Sequence, residues 1–311
     1  MIVPDVRRLL DQAIERHKKG DLAAAIRAYE SVLEADPQHP GAMNLLGLAC
    51  FQGGDGARAV PLLQQALALR PDLPGANFNL GNVLQALNRH QEAVTYFEKA
   101  LLLDPNDFGA HAGLAAAHFV LGRQAYARSH LQKAIALRPD YADGYVGLGH
   151  IALAAKDFGQ AALHFRAALK SEPRSLQAHF GLGMTLAAQG QHAERIELLK
   201  NAVVIAPQIA EVYASYGGAL HDAGRYSEAV EEQKKALAIN PELAGAHFDL
   251  ASSLYALNQY DAASEHYRRA ARLGLPPTLA MRRSCSRRLR PPSLHAIARV
   301  GRRWPIRSRP A

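Results

Sequence analysis

The fold is decided by one stretch of 34 residues, from 74 to 107, which reads PGANFNLGNVLQALNRHQEAVTYFEKALLLDPND. Apolar residues in it recur every three or four positions, first around Gly81 and again around Ala93, which is the spacing of two amphipathic helices. Asn88 separates the two runs, and Pro105, which cannot continue a helix, follows the second run. The stretch predicts a helix, a tight turn and a second helix.

The same pattern recurs along most of the chain. Seven prolines stand 34 residues apart: Pro37, Pro71, Pro105, Pro139, Pro173, Pro207 and Pro241. If this proline is position 32, eight repeats follow without a gap: 6–39, 40–73, 74–107, 108–141, 142–175, 176–209, 210–243 and 244–277. A fixed period of this length is the mark of a stacked repeat fold. The sequence therefore predicts an all-α solenoid of sixteen helices over residues 1–277.

Three columns of the repeat hold small residues. Position 8 is Gly or Ala in every repeat, position 20 is Ala except for Arg195, and position 27 is Ala after Val32 in the first repeat. Small residues let two helices approach closely, so we expect positions 8 and 20 to touch within a repeat. Position 24 is aromatic or Leu except for Gln233. Because Arg195 and Gln233 interrupt repeats 6 and 7, we expect these two repeats to be the least stable.

The residue at position 15 marks the end of each first helix. The column reads Gly20, Gly54, Asn88, Gly122, Lys156, Gly190, Gly224 and Asn258. Gly and Asn are the residues that most readily adopt the left-handed conformation that ends a helix. We therefore predict a left-handed cap in every repeat, with Lys156 as the one strained exception.

These columns resemble the tetratricopeptide-repeat family, whose pattern has an aromatic residue at position 4, Leu-Gly at 7 and 8, Ala at 20 and 27, and Pro at 32. The resemblance implies a right-handed superhelix whose first helices line the inside. Position 4 departs from the pattern in three repeats, which hold His111, His179 and His247. Within the family, residues 79–82 (NLGN) look like the repeats of O-GlcNAc transferases and bacterial sulfotransferases. The O-GlcNAc transferase repeats carry an asparagine at position 6 along their groove. In this sequence Asn79 is the only asparagine at that position.

The net charge of +8 comes from the C-terminal end of the chain. Residues 278–311 contain ten of the 36 basic residues, all Arg, and no acid, so the other 26 basic residues stand against all 28 acidic ones. Two hypotheses explain this Arg/Pro-rich basic tail, which we expect to have little fixed structure beyond a short helix near 293–300. It is a disordered electrostatic arm, or it is the product of a frameshift that replaces a catalytic domain.

Motifs for catalysis, metal binding or cofactor binding do not emerge from the sequence. The fourteen histidines form no His-Glu-x-x-His motif, the glycine motifs at 181–183 (GLG) and 216–218 (YGG) lack a following Lys-Ser/Thr, and Cys50 and Cys285 lie far apart. We therefore expect no enzyme activity and no cofactor. The start of the chain lacks a signal-peptide core, and no apolar run is long enough to cross a membrane. The expected location is the cytoplasm.

The remaining face of each first helix is formed by positions 2, 5, 9 and 12, which lie on one stripe. This stripe is apolar to neutral, which indicates either packing between neighbouring repeats or a groove that binds a peptide. Because the inner face of a solenoid cannot all be buried by its own chain, we favour the groove. The candidate contact residues are Asn44, Phe51, Phe78, Asn82, Phe119, His150, Phe180, His221, Phe248 and Tyr255. The leading hypothesis is a non-catalytic scaffold or adaptor that binds another protein.

Two other classes of function stay open. The chain is alternatively the substrate-recruiting part of a glycosyltransferase or sulfotransferase whose catalytic domain is separate or lost. Nucleic-acid binding would rest only on the Arg-rich tail, which contains one aromatic residue, Trp304, and continues into no basic stripe on the repeats.

Overall fold

The structure is a computed structural model that describes residues 5–275, which divide into two compact units, 5–139 and 140–275. The described residues form sixteen α-helices and no strand. The first unit contains α1 (Val6–Lys18), α2 (Leu22–Ala35), α3 (Pro40–Gln52), α4 (Gly56–Leu69), α5 (Ala76–Ala86), α6 (His90–Leu103), α7 (Phe108–Val120) and α8 (Gln124–Leu137). The second contains α9 (Ala142–Ala154), α10 (Phe158–Ser171), α11 (Leu176–Ala188), α12 (His192–Ile205), α13 (Ala210–Asp222), α14 (Tyr226–Ile239), α15 (Ala244–Ala256) and α16 (Tyr260–Arg272).

Each unit is a row of four helix hairpins. The two helices of every hairpin pack on each other, and within a unit the second helix of one hairpin packs on the first helix of the next. The predicted all-α array of tandem hairpins is therefore confirmed. The handedness of a superhelix stays a prediction, and the predictions for residues 278–311, including the helix near 293–300, concern residues outside the described ones.

Every first helix ends in the way that the position-15 column predicts. All eight residues of the column have a positive φ, which ranges from 60° at Lys156 to 92° at Gly54. The next residue then donates its backbone N–H to a carbonyl five residues earlier, as Asp55 does to Cys50 over 2.8 Å. This pattern satisfies carbonyl groups that the end of a helix leaves open. Lys156 is confirmed as an exception, since a left-handed backbone is unfavourable for residues other than Gly and, to a lesser degree, Asn.

The second helices begin and end at positions set by local chemistry. Asp21, Asp55 and Asp157 stand just before α2, α4 and α10, and each accepts a hydrogen bond from a backbone N–H in the first turn. A short polar side chain at this position stabilises the start of a helix. At the other end, the residue before the position-32 proline leaves the helical conformation, as at Asp104 with a φ of −137°. Proline disfavours a helical residue in front of it.

Glycines make room for the large side chains at position 24. Phe97 is fully buried, and a Cβ atom added at Gly81 or Gly113 would lie 2.7 Å or 2.5 Å from its ring. Phe165 lies between Gly149 and Gly181 in the same way. Position 8 of a repeat and position 6 of the next therefore enclose the ring from two sides. The predicted contact of positions 8 and 20 runs partly through the backbone, since a Cβ at Gly47 would lie 3.3 Å from the carbonyl oxygen of Ala59.

Repeats 6 and 7 contain polar side chains where the other repeats have apolar ones. Arg195 is 8% exposed, and its Nη1 donates to the Asp222 carboxylate over 2.5 Å. Burial lowers the pKa of Arg195 to about 10, against a rise caused by Asp249. Gln233 is fully buried, and its Nε2 donates to the carbonyl of Ala214 over 2.9 Å. Both side chains are therefore held by specific hydrogen bonds, and the lower stability of these repeats stays a prediction.

Candidate interaction surface

The candidate residues of the first unit lie on α3, α5 and α7. Asn44 is buried, and its Oδ1 accepts a hydrogen bond from Nδ2 of Asn79 over 3.0 Å. Asn82 lies one turn further along α5 and is partly buried. The Asn44–Asn79 contact joins two neighbouring first helices. This amide pair uses part of the hydrogen-bonding capacity of Asn44.

The three phenylalanines of the first unit are partly buried. Phe51 and Phe78 pack against the hydrophobic core of the unit, and the Phe78 ring centre lies 6.0 Å from that of Phe97. A Cβ at Gly109 would lie 2.7 Å from the Phe78 ring, so the ring also covers the start of α7. Phe119 is partly buried near the end of α7. These rings belong to the packing of the unit and still leave part of their surface exposed.

In the second unit, two predicted contact residues are histidines with their own partners. The His150 ring meets the Phe165 ring edge-on, with ring centres 5.2 Å apart, and burial lowers the pKa of His150. Nδ1 of His221 lies 2.9 Å from Oγ of Ser253, which links α13 to α15. Both rings therefore hold neighbouring elements together.

The aromatic residues of the second unit differ widely in exposure. Phe180 is partly buried between two apolar clusters that involve Leu199 and Val212. Phe248 is only 4% exposed and packs on Tyr267. Tyr255 is 60% exposed and meets Tyr260 edge-on, with ring centres 5.2 Å apart. Tyr255 is thus the most accessible of the ten candidates, and Phe248 is a core residue with little surface to offer a partner.

Charge is absent from several first helices. α3, α5, α7 and α11 contain no Asp, Glu, Lys or Arg. The second helices, by contrast, carry charged side chains that form exposed pairs, such as Arg58 with Glu30 and Arg166 with Glu194. A helix that faces water on one side normally has a charged or strongly polar face. The uncharged first helices therefore present a surface suited to a mainly apolar contact.

His221 and Ser253 bring a ring nitrogen and a hydroxyl together in the second unit. The His221–Ser253 distance is within the range for a base and a nucleophile. However, Ser253 is fully buried, and its hydroxyl donates to the carbonyl of Asp249 over 3.0 Å. The same residues contain no group of three His, Cys, Asp or Glu side chains that could hold a metal ion. The His221–Ser253 contact joins repeats 7 and 8 at a buried hydroxyl.

Three features of this surface were missed in the sequence. They are the Asn44–Asn79 amide pair, the Arg195–Asp222 ion pair, and Tyr260 beside Tyr255. The first two join different columns of different repeats, so reading one column at a time does not reveal them. In the sequence, these two contacts could have been suspected from polar residues in adjacent repeats that differ from the residues at the same position of the other repeats.

Comparison with sequence families agrees with the geometry. Profiles described as "Tetratricopeptide repeat" match residues 10–74, 76–107, 146–208 and 244–273, and one described as "TPR repeat" matches 217–257. The chain belongs to the tetratricopeptide-repeat family. Together these matches cover most of both units of the tetratricopeptide array. A search of curated proteins finds no match, and the likeness of residues 79–82 to transferase repeats stays a prediction.

Solved structures resemble parts of the tetratricopeptide array. The MamA crystal structure is 25% identical, covers 52% of this chain and 95% of its own, and has a TM-score of 0.50. A tetratricopeptide repeat protein from Parabacteroides merdae is 16% identical, covers 78% and 96%, and has a TM-score of 0.61. YrrB, described as having an unusual peptide-binding site, is 22% identical, covers 59% and 95%, and has a TM-score of 0.50. The last two likenesses concern the fold alone.

The helices of the array are short. None of those in residues 5–275 combines the length and the apolar character that crossing a membrane requires. The predicted cytoplasmic location is not tested by this finding.

Proposed function

We propose that this chain is a non-catalytic scaffold or adaptor that binds an extended or amphipathic segment of another protein on its first-helix faces. The observation that carries the proposal is the uncharged character of α3, α5, α7 and α11 together with their partly exposed rings. Apolar surface that the chain itself leaves uncovered favours a partner. YrrB, a protein of the same fold, has a peptide-binding site, which is consistent with this use of the array.

In the first unit, the proposed contact consists of Phe51, Phe78 and Phe119, with Asn82 as a hydrogen-bonding residue. Rigid aromatic side chains contribute large contact area at a small entropic cost, and polar groups between them fix the register of a bound segment. In the second unit, the proposed contact centres on Tyr255 and Phe180, with His150 and His221 beside them. Asn44 and Phe248 have little free surface. We therefore propose that they hold the contact residues in place and do not touch the partner themselves.

The test uses a defined probe. A random 12-residue peptide library is selected on the wild-type chain, and the affinity of the best peptide is measured by calorimetry for each variant. Tyr255→Ala removes an exposed ring and should not disturb folding, because the side chain is 60% exposed. Phe78→Ala and Phe119→Ala remove partly buried rings, so each needs a thermal melt beside the binding measurement. At typical hot-spot values, loss of a contacting ring weakens binding by about 2 kcal/mol.

Leu102→Ala is the matched control, because Leu102 is an exposed apolar residue on the second helix α6. We expect it to bind the selected peptide like the wild type. The proposal is refuted if Tyr255→Ala, Phe78→Ala and Phe119→Ala all bind normally with normal melts. It is also refuted if Leu102→Ala weakens binding as strongly as they do, because the site would then lie on the second helices.

A further inference from the structure

Repeats 4 and 8 contain the same unusual pair of histidines. Nδ1 of His111 lies 3.0 Å from Nδ1 of His130, and Nδ1 of His247 lies 3.0 Å from Nδ1 of His266. In both repeats the first histidine is at position 4 of the repeat, in the first helix, and the second is at position 23, in the second helix. We call each pair a histidine latch, because it fastens the two helices of one hairpin.

The hydrogen bonds of the other ring nitrogens assign the protons of each latch. Nε2 of His111 lies 3.1 Å from the carbonyl oxygen of Pro105, and Nε2 of His247 lies 3.0 Å from that of Pro241. A carbonyl oxygen only accepts, so these Nε2 atoms carry hydrogen. In the neutral ring Nδ1 is then an acceptor, and the proton between the two Nδ1 atoms belongs to His130 or His266.

This arrangement limits the number of protons that a closed latch can hold. One extra proton on Nε2 of His130 would leave the hydrogen bond between the rings intact. A second extra proton, on Nδ1 of His111, would place two N–H groups against each other at 3.0 Å. The same holds for His247 and His266. Two charged rings therefore cannot share the closed geometry, and the latch must open to accept both protons.

The two Nδ1 atoms of a latch point at each other. This geometry suits a shared proton and does not suit two ligands of one metal ion. The ring centres are 5.3 Å and 5.2 Å apart in the two latches, so the facing nitrogens lie close to the line between the centres. Ligands of a tetrahedral metal ion instead converge on it at an angle. Residues 5–275 also place no third His, Cys, Asp or Glu with a pair in a metal-binding group.

The surroundings of the first latch oppose additional charge. Burial, His111 and His118 together lower the pKa of His130 to about 4. His118 stacks on His130, with ring centres 5.8 Å apart, and its own pKa is lowered by burial and by Arg123. Glu98 of α6 acts on His118 in the opposite direction. The closed latch is thus favoured when its rings are neutral.

The second latch has a similar environment. Burial and His247 lower the pKa of His266, and Glu265 raises it. An open hairpin would return the rings to water, where histidine has a pKa of about 6.5. The open form therefore binds more protons than the closed one at acid pH. By linkage, the closed form is favoured above about pH 6.5 and loses this advantage as the pH falls toward the lowered values.

We propose that the two histidine latches form an acid-sensitive device that holds the hairpins of repeats 4 and 8 closed while the rings are neutral and releases them when both rings of a pair take protons. Release would loosen α7 and α15, the helices that carry Phe119 and Tyr255. Any effect of acid on partner binding therefore rests on the proposed function, whereas the opening itself does not.

Repeat 6 supplies an internal control. It has a histidine at position 4, His179, but Leu198 at position 23. Nδ1 of His179 lies 2.9 Å from the carbonyl oxygen of Ser175, the residue just before the same helix. His179 therefore does not join the two helices of its hairpin, and the proposal predicts no comparable acid response in α11 and α12.

Hydrogen exchange of the full chain without a partner tests the proposal. Opening of each amide is compared between about pH 7 and about pH 5, after correction for the intrinsic exchange rate. Each ring that titrates only in the open form should raise opening by about 25-fold over this range. We expect an increase of about 25-fold or more in repeats 4 and 8 beyond any change in repeat 6.

Two variants locate the effect. In His130→Gln and His266→Gln the amide can donate its N–H to the neutral partner ring or, after rotating, accept with its oxygen from the protonated ring, so the hairpin need not open and each variant should suppress the acid response in its own repeat and leave that of the other repeat unchanged. The proposal is overturned if repeat 6 responds as strongly as repeats 4 and 8. It is overturned equally if both variants fold, as judged by circular dichroism, and retain the wild-type response. The wild-type comparison among repeats decides the question if a variant fails to fold.

Discussion

The packing of Phe97 between two glycines can be tested by adding a single methyl group. In Gly113→Ala the new Cβ would lie 2.5 Å from Cζ of Phe97, and the ring is fully buried. Gly81 packs against the other side of the ring, where an added Cβ would lie 2.7 Å away, so the ring has little room to move. Overpacking of this kind costs about 1–3 kcal/mol. Helix propensity favours Ala over Gly by up to about 1 kcal/mol, so we expect a net loss of about 1–2 kcal/mol.

Gly245→Ala is the matched control. Gly245 also lies in a first helix, α15, but nothing lies within 4 Å of an added Cβ. The same chemical change should therefore leave stability unchanged or raise it by roughly 0.5 kcal/mol, through helix propensity alone. The two variants should differ by about 1–2 kcal/mol in urea unfolding followed by circular dichroism. Because repeat arrays do not always unfold in two states, hydrogen exchange in α6 and α7 should accompany the comparison.

A second substitution identifies the cause of the loss. In a Phe97→Leu background the ring is absent, so Gly113→Ala should lose most of its penalty. A coupling free energy of about 1 kcal/mol between the two sites is within the range for residues in contact. The reasoning is refuted if Gly113→Ala is as stable as Gly245→Ala, or if its penalty is the same with and without Phe97.

Four further outcomes follow from the structure. Lys156→Gly should stabilise the chain by roughly 0.5–1 kcal/mol in a thermal melt, because Lys156 has a φ of 60°, whereas Ala155→Gly, at a φ of −77°, should not. Ala93→Leu should cost about 1–3 kcal/mol in urea unfolding, since Ala93 is fully buried, while Arg89→Leu at an exposed site should be near neutral. Hydrogen exchange should be fastest around repeats 6 and 7, where Arg195 and Gln233 replace apolar residues, and uniform protection would contradict this. Binding of a peptide selected on the first unit should change little with salt, because α3, α5 and α7 carry no charge, and a steep loss of affinity would point to the Arg-rich tail instead.

Most of the helical architecture could be predicted from the sequence. The 34-residue period, the position-15 column and the proline at position 32 predicted sixteen helices and their turns, including the strained backbone at Lys156. These features depend on residues that are close in the chain. A left-handed cap or a proline acts on its own turn of helix, so its effect does not require knowledge of the neighbouring repeat.

The exposure of the candidate site could be decided only by the tertiary structure. The stripe at positions 5, 9 and 12 predicted a ladder of similar rings, yet Tyr255 is 60% exposed and Phe248 only 4% exposed. The histidine latches and the Asn44–Asn79 pair likewise join residues from separate helices. A column defines the side of a helix on which a residue lies. How much of its side chain remains free depends on the size and shape of the residues that the neighbouring helices bring against it.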